Sequence, residues 1–257
     1  MHLLLRDGAP LPAPLTVPRD DDGARLLAAL YAYPPLPADE GPTDGSGAVH
    51  VRAMMTTTID GAIAGADGTS GSLHDPDDSF AFQVLRALTD VVLVGAETVR
   101  REDYRRPLGR ESLLCPSLRP GGADRPALAI WSRSGDLPGS IEAEQPTFLI
   151  TASDGAREAA ARSGLPRDQV IVADTAAEAV QALAARGMRG IQAEGGPSAL
   201  GRLAAEGVLD ELCFTTAHRT VGGLSPRVLA GAAHETAWRL DSLLLGEAAT
   251  LSRYLRG

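Results

Sequence analysis

GIQAEGGPSALGRLAA, residues 190–205, runs from a short strand, Gly190 to Ala193, through Glu194-Gly195-Gly196 into a helix that begins at Pro197. Proline suits a first helical turn, where its missing N–H would have no partner, and paired glycines reach backbone conformations that other residues avoid. The segment is therefore a βα unit. Upstream, Val91 to Gly95 (VVLVG) is a continuous apolar run, as expected of a strand covered on both faces, and Gly95 opens a second glycine turn. Further strands are expected at Leu128 to Ser132, Thr147 to Thr151 and Val170 to Val172, and further helices from about Gly155 to Arg162, Ala176 to Arg186 and Pro197 to Ala205. Repeated βα units imply an α/β fold with a mainly parallel central sheet, right-handed crossovers and flanking helices.

Outward from this core, VHVRAMMTTTI from Val49 is β-branched and alternating, and Asp60-Gly61 supplies a turn at its end. Asp75-Pro76 offers an N-cap and a first-turn proline for a helix that places Phe80, Val84, Leu85 and Leu88 on one face and ends near Thr89. Arg100 to Arg125 reads as a long polar loop. In the last third, LDELCFTTAH, PRVLAG, TAWRLDSLLLGEA and TLSRYLRG lack intervening helices and are expected to add antiparallel strands at the sheet edge. Residues 1–48, rich in Pro, Gly and Asp, are expected to form an arm with one short helix, Ala24 to Tyr31, ahead of a single domain over 49–257.

Composition narrows the function. With 24 basic residues, all arginine, against 33 acidic ones, the net charge of -9 opposes a phosphate backbone, and no long basic stripe offsets it, so nucleic acid is not an expected partner. The apolar run Leu3 to Leu5 is broken by Arg6 and Asp7, and no apolar stretch has the length of a bilayer span; the expectation is a cytoplasmic chain without a membrane partner. Cys115 and Cys213 lack any metal or redox spacing. The five histidines are scattered and no GxSxG, GxGxxG or GxxxxGK[ST] motif occurs. His74 lies beside Asp75, Asp77 and Asp78, but that run ahead of an amphipathic helix is better read as capping than as a cation site.

Three constellations could carry chemistry. Glu194-Gly195-Gly196-Pro197 places free N–H groups and a helix N-terminus where an anion could approach closely, although a tight βα turn needs the same glycines. Gly95-Ala96-Glu97-Thr98 is a second such turn with a hydroxyl, or simply a helix cap. Thr57-Thr58-Ile59-Asp60-Gly61 with Gly68-Thr69-Ser70-Gly71 gathers hydroxyls and a carboxylate at a strand end, suited to a polar heterocycle or to local backbone capping. Arg86 could pair with a surface acid or clamp an anion.

The order of these pieces resembles the pyrimidine-reductase domain of the riboflavin-biosynthesis deaminase/reductase family. The match comprises TIDG, the GTSG loop, VLRAL, DVVLVGAETVR, and IQAEGGPSALGRL followed by VLDELCFTTAHRTVGG, within residues 49–257. The resemblance implies a dihydrofolate-reductase-like fold, NADPH as cofactor, a small heterocyclic substrate and a homodimer. Carried across by position, it implies cofactor contacts at Thr57, Ser72, Thr98 and Ser132, and along Gly195, Gly196, Pro197, Ser198, Ala199 and Leu200 to Arg202. It implies substrate contacts at Ser70 and Arg86. Glu194 and Asp60 would be the catalytic carboxylates, Glu194 binding the pyrimidine and Asp60 ordering the substrate edge.

Two departures stand out. Ala62 replaces the family's basic residue after Asp-Gly, and Glu102-Asp103-Tyr104 replaces its Asp-Asn-Pro or Asp-Asp-Pro stretch, which holds the ribose phosphate. Arg100, Arg101, Arg105 and Arg106 either replace those contacts or are solvated. The deaminase signature H-x-E with P-C-x-x-C does not occur. Reduction of a ribosylamino pyrimidine phosphate is the leading expectation. A pterin or other heterocycle, and a non-catalytic NADP-binding module, are the alternatives.

Overall fold

The computed structural model describes residues 1–35, 48–102, 104, 107–139 and 146–257. Asp103, Arg105 and Arg106 lie outside the described residues, as do residues 36–47 of the expected arm.

The βα units fold as the sequence pattern implies. Strand β3 (His50–Thr58) leads to helix α2 (Pro76–Leu88), strand β4 (Val91–Gly95) to the short helix α3 (Ala96–Arg101), and strands β5 (Ala127–Trp131) and β6 (Thr147–Thr151) follow. Helix α4 (Ala156–Ser163), strand β7 (Val170–Val172), helix α5 (Ala176–Ala184), strand β8 (Gly190–Ala193) and helix α6 (Pro197–Ala205) complete the alternation. Asp75 caps α2 as expected, its carboxylate accepting the Asp78 N–H at 2.7 Å. Thr175 and Glu178 form a reciprocal capping box at α5.

With β1 (His2–Arg6), β2 (Ala9–Thr16), β9 (Glu211–Ala217), β10 (Trp238–Leu245) and β11 (Ala249–Arg256), the described strands make one sheet in the order β2-β1-β10-β11-β9-β3-β8-β4-β5-β6-β7. From β9 (Glu211–Ala217) to β7 the pairings are parallel. Strands β10 (Trp238–Leu245) and β11 (Ala249–Arg256) are antiparallel, as expected for the C-terminal side. One apolar core under α1 (Asp21–Leu30) and α2 gathers Leu27, Val84, Leu85 and Leu244; a second, under α5 and α6, gathers Ile150, Leu183, Ile191 and Leu203.

Several expectations are corrected. Residues 1–16 are not an arm but a hairpin, β1 (His2–Arg6) and β2 (Ala9–Thr16), that joins the sheet through β1 and β10. Its alternation of Leu with Pro hid it from a search for β-branched runs. On an edge strand Pro10, Pro12 and Pro14 are tolerated, and without N–H groups they make a poor template for a further strand. Helix α1 (Asp21–Leu30) begins earlier than expected, because Asp20 accepts N–H groups of Asp22 and Gly23. LDELCFTTAH supplies β9, which runs parallel to β3, since the α6 crossover carries the chain past β3 to its other side. PRVLAG forms no strand.

At the strand ends away from the glycine turns lies a buried ionic cluster. Glu211 accepts from Arg52 Nε at 2.7 Å, Arg253 Nε at 2.9 Å and His50 Nε2 at 3.0 Å. The two guanidinium groups also bond Tyr31 O at 2.5 Å and Leu30 O at 2.7 Å, filling the orphan carbonyls at the end of α1. The cluster thus pins the N-terminal helix to the sheet.

Candidate functional site

The two glycine turns meet at the carboxyl ends of β4 and β8. The Gly95 N–H faces Gly195 O at 3.4 Å, and a Cβ added to Gly196 would lie 3.4 Å from both Gly95 Cα and Thr98 Oγ1. Gly195 and Gly196 have φ of 122° and 80°, where a side chain is strained. Among the described residues no side chain caps α6, whose first turn opens from this seam. This is a cradle that side chains would fill, and it fits a pyrophosphate. Ligand sites in open α/β sheets form at such carboxyl ends.

Beside the seam, the residue preceding the glycines anchors a polar cluster. Glu194 has no exposed side-chain surface, and Arg86 retains 17%. Arg86 Nε donates to Glu194 Oε1 at 2.8 Å and Nη2 to Oε2 at 2.6 Å, a bidentate pair spanning α2 and the β8 turn. Gln192 Nε2 donates to Oε1 at 2.7 Å, and the Tyr104 hydroxyl donates to Oε2 while accepting from Arg86 Nη2 at 2.7 Å. The guanidinium stacks on Phe82 at 4.3 Å and lies 5.2 Å from the Tyr104 ring centroid.

Burial alone would pull the Arg86 pKa down, but the adjacent Glu194 more than offsets it and holds the guanidinium charged. Burial, reinforced by the Glu194 charge, pushes the Tyr104 phenol well above its ordinary range, so it is a neutral donor. The cluster is therefore a charge-balanced pair with one phenol bridging both partners.

The other expected residues lie at other strand ends and in the loops that follow them. The Ser70 N–H donates to Glu102 Oε1 at 3.1 Å, bringing the GTSG loop against the segment that carries Tyr104. Thr57 is buried near the carboxyl end of β3, and Ser132 follows β5, where its hydroxyl accepts the Gly135 N–H at 3.1 Å. The Ser72 hydroxyl turns to Asp67 Oδ1 at 2.9 Å within its own loop. Asp60 is exposed; it accepts from the Thr58 hydroxyl and from the N–H groups of Val221 at 3.1 Å and Gly222 at 2.7 Å, joining two loops. Those bonds, the Thr58 hydroxyl foremost, lower its pKa.

Leu200 departs from the expected cofactor contacts. Its side chain is fully buried in the core under α6, and only its backbone continues the turn. Ser198 is exposed, and Pro197 and Ala199 are partly exposed. Arg100 reaches Asp136 O at 3.2 Å and Arg101 reaches Glu97 at 2.8 Å, both on the exposed surface. Sequence reasoning missed Gln192, Phe82 and the Tyr104 contact. A polar residue inside the short strand GIQA, two positions before Glu194 and hence on the same face, was the available signal for Gln192.

A mainly parallel sheet flanked by helices, with antiparallel strands on one side, places the chain in the dihydrofolate-reductase-like class of α/β proteins. Within it, residues 49–248 match the model of the RibD C-terminal domain, and the chain belongs to that family. Among solved structures it is similar to a pyrimidine reductase-like protein from Corynebacterium diphtheriae, at 26% identity over 81% of this chain and 92% of that one, with a TM-score of 0.70. It is also similar to Acinetobacter baumannii RibD, at 19% identity over 84% of this chain and 59% of that chain, with a TM-score of 0.65. The Saccharomyces cerevisiae riboflavin biosynthesis reductase Rib7 shares 14% identity over 82% and 90%, with a TM-score of 0.56. No curated protein sequence matches the chain significantly. Among the described residues, no helix is long and apolar enough to cross a membrane.

Proposed function

We propose that the chain is an NADPH-dependent reductase of a pyrimidine-like heterocycle, and specifically that it reduces 5-amino-6-(5-phosphoribosylamino)uracil in riboflavin biosynthesis. The observation that carries this reading is adjacency: Glu194 leads straight into the Gly195-Gly196 seam, so an anion cradle and a buried Arg86–Glu194 pair share one turn. The pyrimidine reductase-like character of the Corynebacterium protein supports the substrate class. When bound there, NADPH would supply the hydride that, with a proton taken up from solvent, reduces the ribosylamino group to a ribitylamino one.

The residues of this chain do the rest. Gly95, Thr98, Gly195, Gly196 and the first N–H groups of α6 hold the dinucleotide, with Ser132 and Thr57 at neighbouring strand ends. Arg86 and Glu194 orient the heterocycle, and Ser70 bounds the chamber through Glu102. Asp60 acts as a positioning residue that ties the strand-end loop to residues 221–222, and Ser72 braces the same loop. The resemblance also supports a homodimer, which light scattering checks.

Gly196→Ala places a methyl group 3.4 Å from Gly95 Cα at a φ of 80°. A left-handed conformation costs a non-glycine residue roughly 1–2 kcal/mol. NADPH affinity, read by calorimetric titration, is expected to fall at least about tenfold. An unchanged affinity would place the dinucleotide elsewhere.

The reading itself is tested by NADPH oxidation with the ribosylamino pyrimidine phosphate and, separately, with dihydrofolate. Oxidation with the first alone is expected. Oxidation with dihydrofolate alone would make it a pterin reductase, and NADPH binding with neither oxidation would make it a non-catalytic module.

A further inference from the structure

Capping explains only part of the acidic run ahead of α2. Asp75 fills that role, accepting the Asp78 N–H at 2.7 Å, and Asp77 turns toward the N-terminal amino group and Arg19, each at 3.8 Å. Asp78 is wholly buried and serves neither purpose. The Thr56 hydroxyl on β3 approaches its Oδ1 at 3.3 Å, Thr215 lies opposite Thr56 on β9, and His74 Nε2 stands 3.8 Å from Oδ2. His74 keeps 31% of its side chain exposed, and its Nδ1 has no hydrogen-bond partner among the described residues. Burial raises the Asp78 carboxyl above its ordinary range, and the His74 charge opposes that rise. A carboxylate inside the protein thus backs an imidazole that reaches solvent.

Asp78, Phe82 and Arg86 recur at every fourth position along one face of α2, and His74 continues the line beyond its start. The imidazole lies 6.0 Å from the Phe82 ring, on which Arg86 stacks at 4.3 Å. The reduction needs a proton as well as a hydride: the C1′–O4′ bond of the ribosylamine breaks, C1′ gains the hydride, and the electron pair left on O4′ takes the proton. The Arg86–Glu194 cluster has none to give near neutral pH. Against burial, Glu194 holds the guanidinium charged, and burial pushes the Tyr104 phenol well above its ordinary range. Histidine is the side chain that gives up and regains a proton there. The other four histidines are engaged elsewhere, His2 with Thr16, His50 with Glu211, His218 with Thr250 and His234 with Ala232 O.

We propose that His74, backed by Asp78, is the acid that protonates O4′, its Nδ1 donating to the opening sugar and recovering the proton from solvent. The inference rests on the reductase reading and adds the source of the proton. Asp78 is a positioning residue: it faces Nε2, leaves Nδ1 for the substrate and favours the charged ring. The other charged groups at hand are Asp75, engaged at the cap, and Arg219, whose guanidinium donates to Ser72 O at 2.9 Å.

The test measures single-turnover NADPH oxidation with the ribosylamino pyrimidine phosphate across pH, in the unaltered protein, His74→Gln and Asp78→Asn. NMR titration of the His74 imidazole in the cofactor-free protein accompanies it. The rate in the unaltered protein is expected to fall as pH rises through the imidazole midpoint, because the donor must carry its proton. His74→Gln should lose that dependence together with about a hundredfold in rate. Asp78→Asn should move both the imidazole midpoint and the alkaline fall to lower pH, by about one pH unit. An unchanged pH profile in His74→Gln, or an imidazole midpoint unmoved in Asp78→Asn, would overturn the proton assignment and leave the reductase reading standing. No oxidation by the unaltered protein would sink the reductase reading and the proposal with it. Should Asp78→Asn fail to fold, the profile of His74→Gln decides alone.

Discussion

Glu211→Gln is expected to destabilise the protein by about 3–5 kcal/mol, the usual effect of removing one partner from a buried ionic group. At roughly 2–4 °C per kcal/mol for a chain of this size, the thermal midpoint falls by about 10 °C. The effect is large because Glu211 compensates two buried cations at once, Arg52 with no exposed side-chain surface and Arg253 with 10%. Glutamine cannot balance either, and Arg52 and Arg253 also hold the carbonyls at the end of α1, so the N-terminal helix loosens with them.

The pH dependence of stability follows from the same cluster. Burial would raise the Glu211 pKa, but the Arg52 charge, the His50 bond and Arg253 together hold it well below the ordinary range. Its folded-state pKa is therefore lower than its unfolded one. Its contribution is complete above the unfolded value of ~4.3 and fades as pH falls through the depressed folded value. Denaturant melts from pH 7 into the acid range are expected to show stability falling less steeply below about 4 in Glu211→Gln than in the unaltered protein. Parallel curves would mean that the carboxylate is not ionised in the folded cluster.

Glu194→Gln is the second large expectation, and it falls on turnover. Glutamine keeps the shape but offers one acceptor oxygen where Arg86, Gln192 and Tyr104 require two. The guanidinium loses its bidentate partner and moves off Phe82, and misplacement of a positioning group by about 1 Å costs on the order of a hundredfold in rate. Turnover should drop by about that factor while NADPH affinity changes by less than about twofold, since the cradle uses backbone from Gly195 onward. Parallel loss of both would show that Glu194 acts through the glycine turn and not on the heterocycle.

How much of this was legible in the sequence depends on range. The βα units declared themselves through local signals: VVLVG, the Asp75-Pro76 cap and the Gly-Gly-Pro turn each dictate structure within a few residues. The meeting of Gly95 with Gly196 followed from strand order, because β4 and β8 are neighbours and their carboxyl ends coincide. The hairpin over residues 2–16 was hidden because its strands gain order only by pairing with β10, more than two hundred residues away in the chain. The Arg52–Glu211–Arg253 cluster was hidden for the same reason: three charged residues in apolar strands look like separate irregularities until the register of β3, β9 and β11 aligns them. Leu200 shows the reverse limit. Its place in the first turn of a helix after Gly-Gly-Pro is local, but helical phase turns its side chain into the core.

The central claim is that the seam between Gly95 and Gly196 seats a pyridine dinucleotide beside the Arg86–Glu194 chamber, and the crystal structure of the NADPH complex tests it most directly. The pyrophosphate is expected against Gly195, Gly196 and the N–H groups at the start of α6, with the nicotinamide C4 facing the space bounded by Ser70, Arg86 and Glu194. A dinucleotide bound away from that seam, or a nicotinamide turned toward solvent with the chamber closed behind it, would contradict the claim.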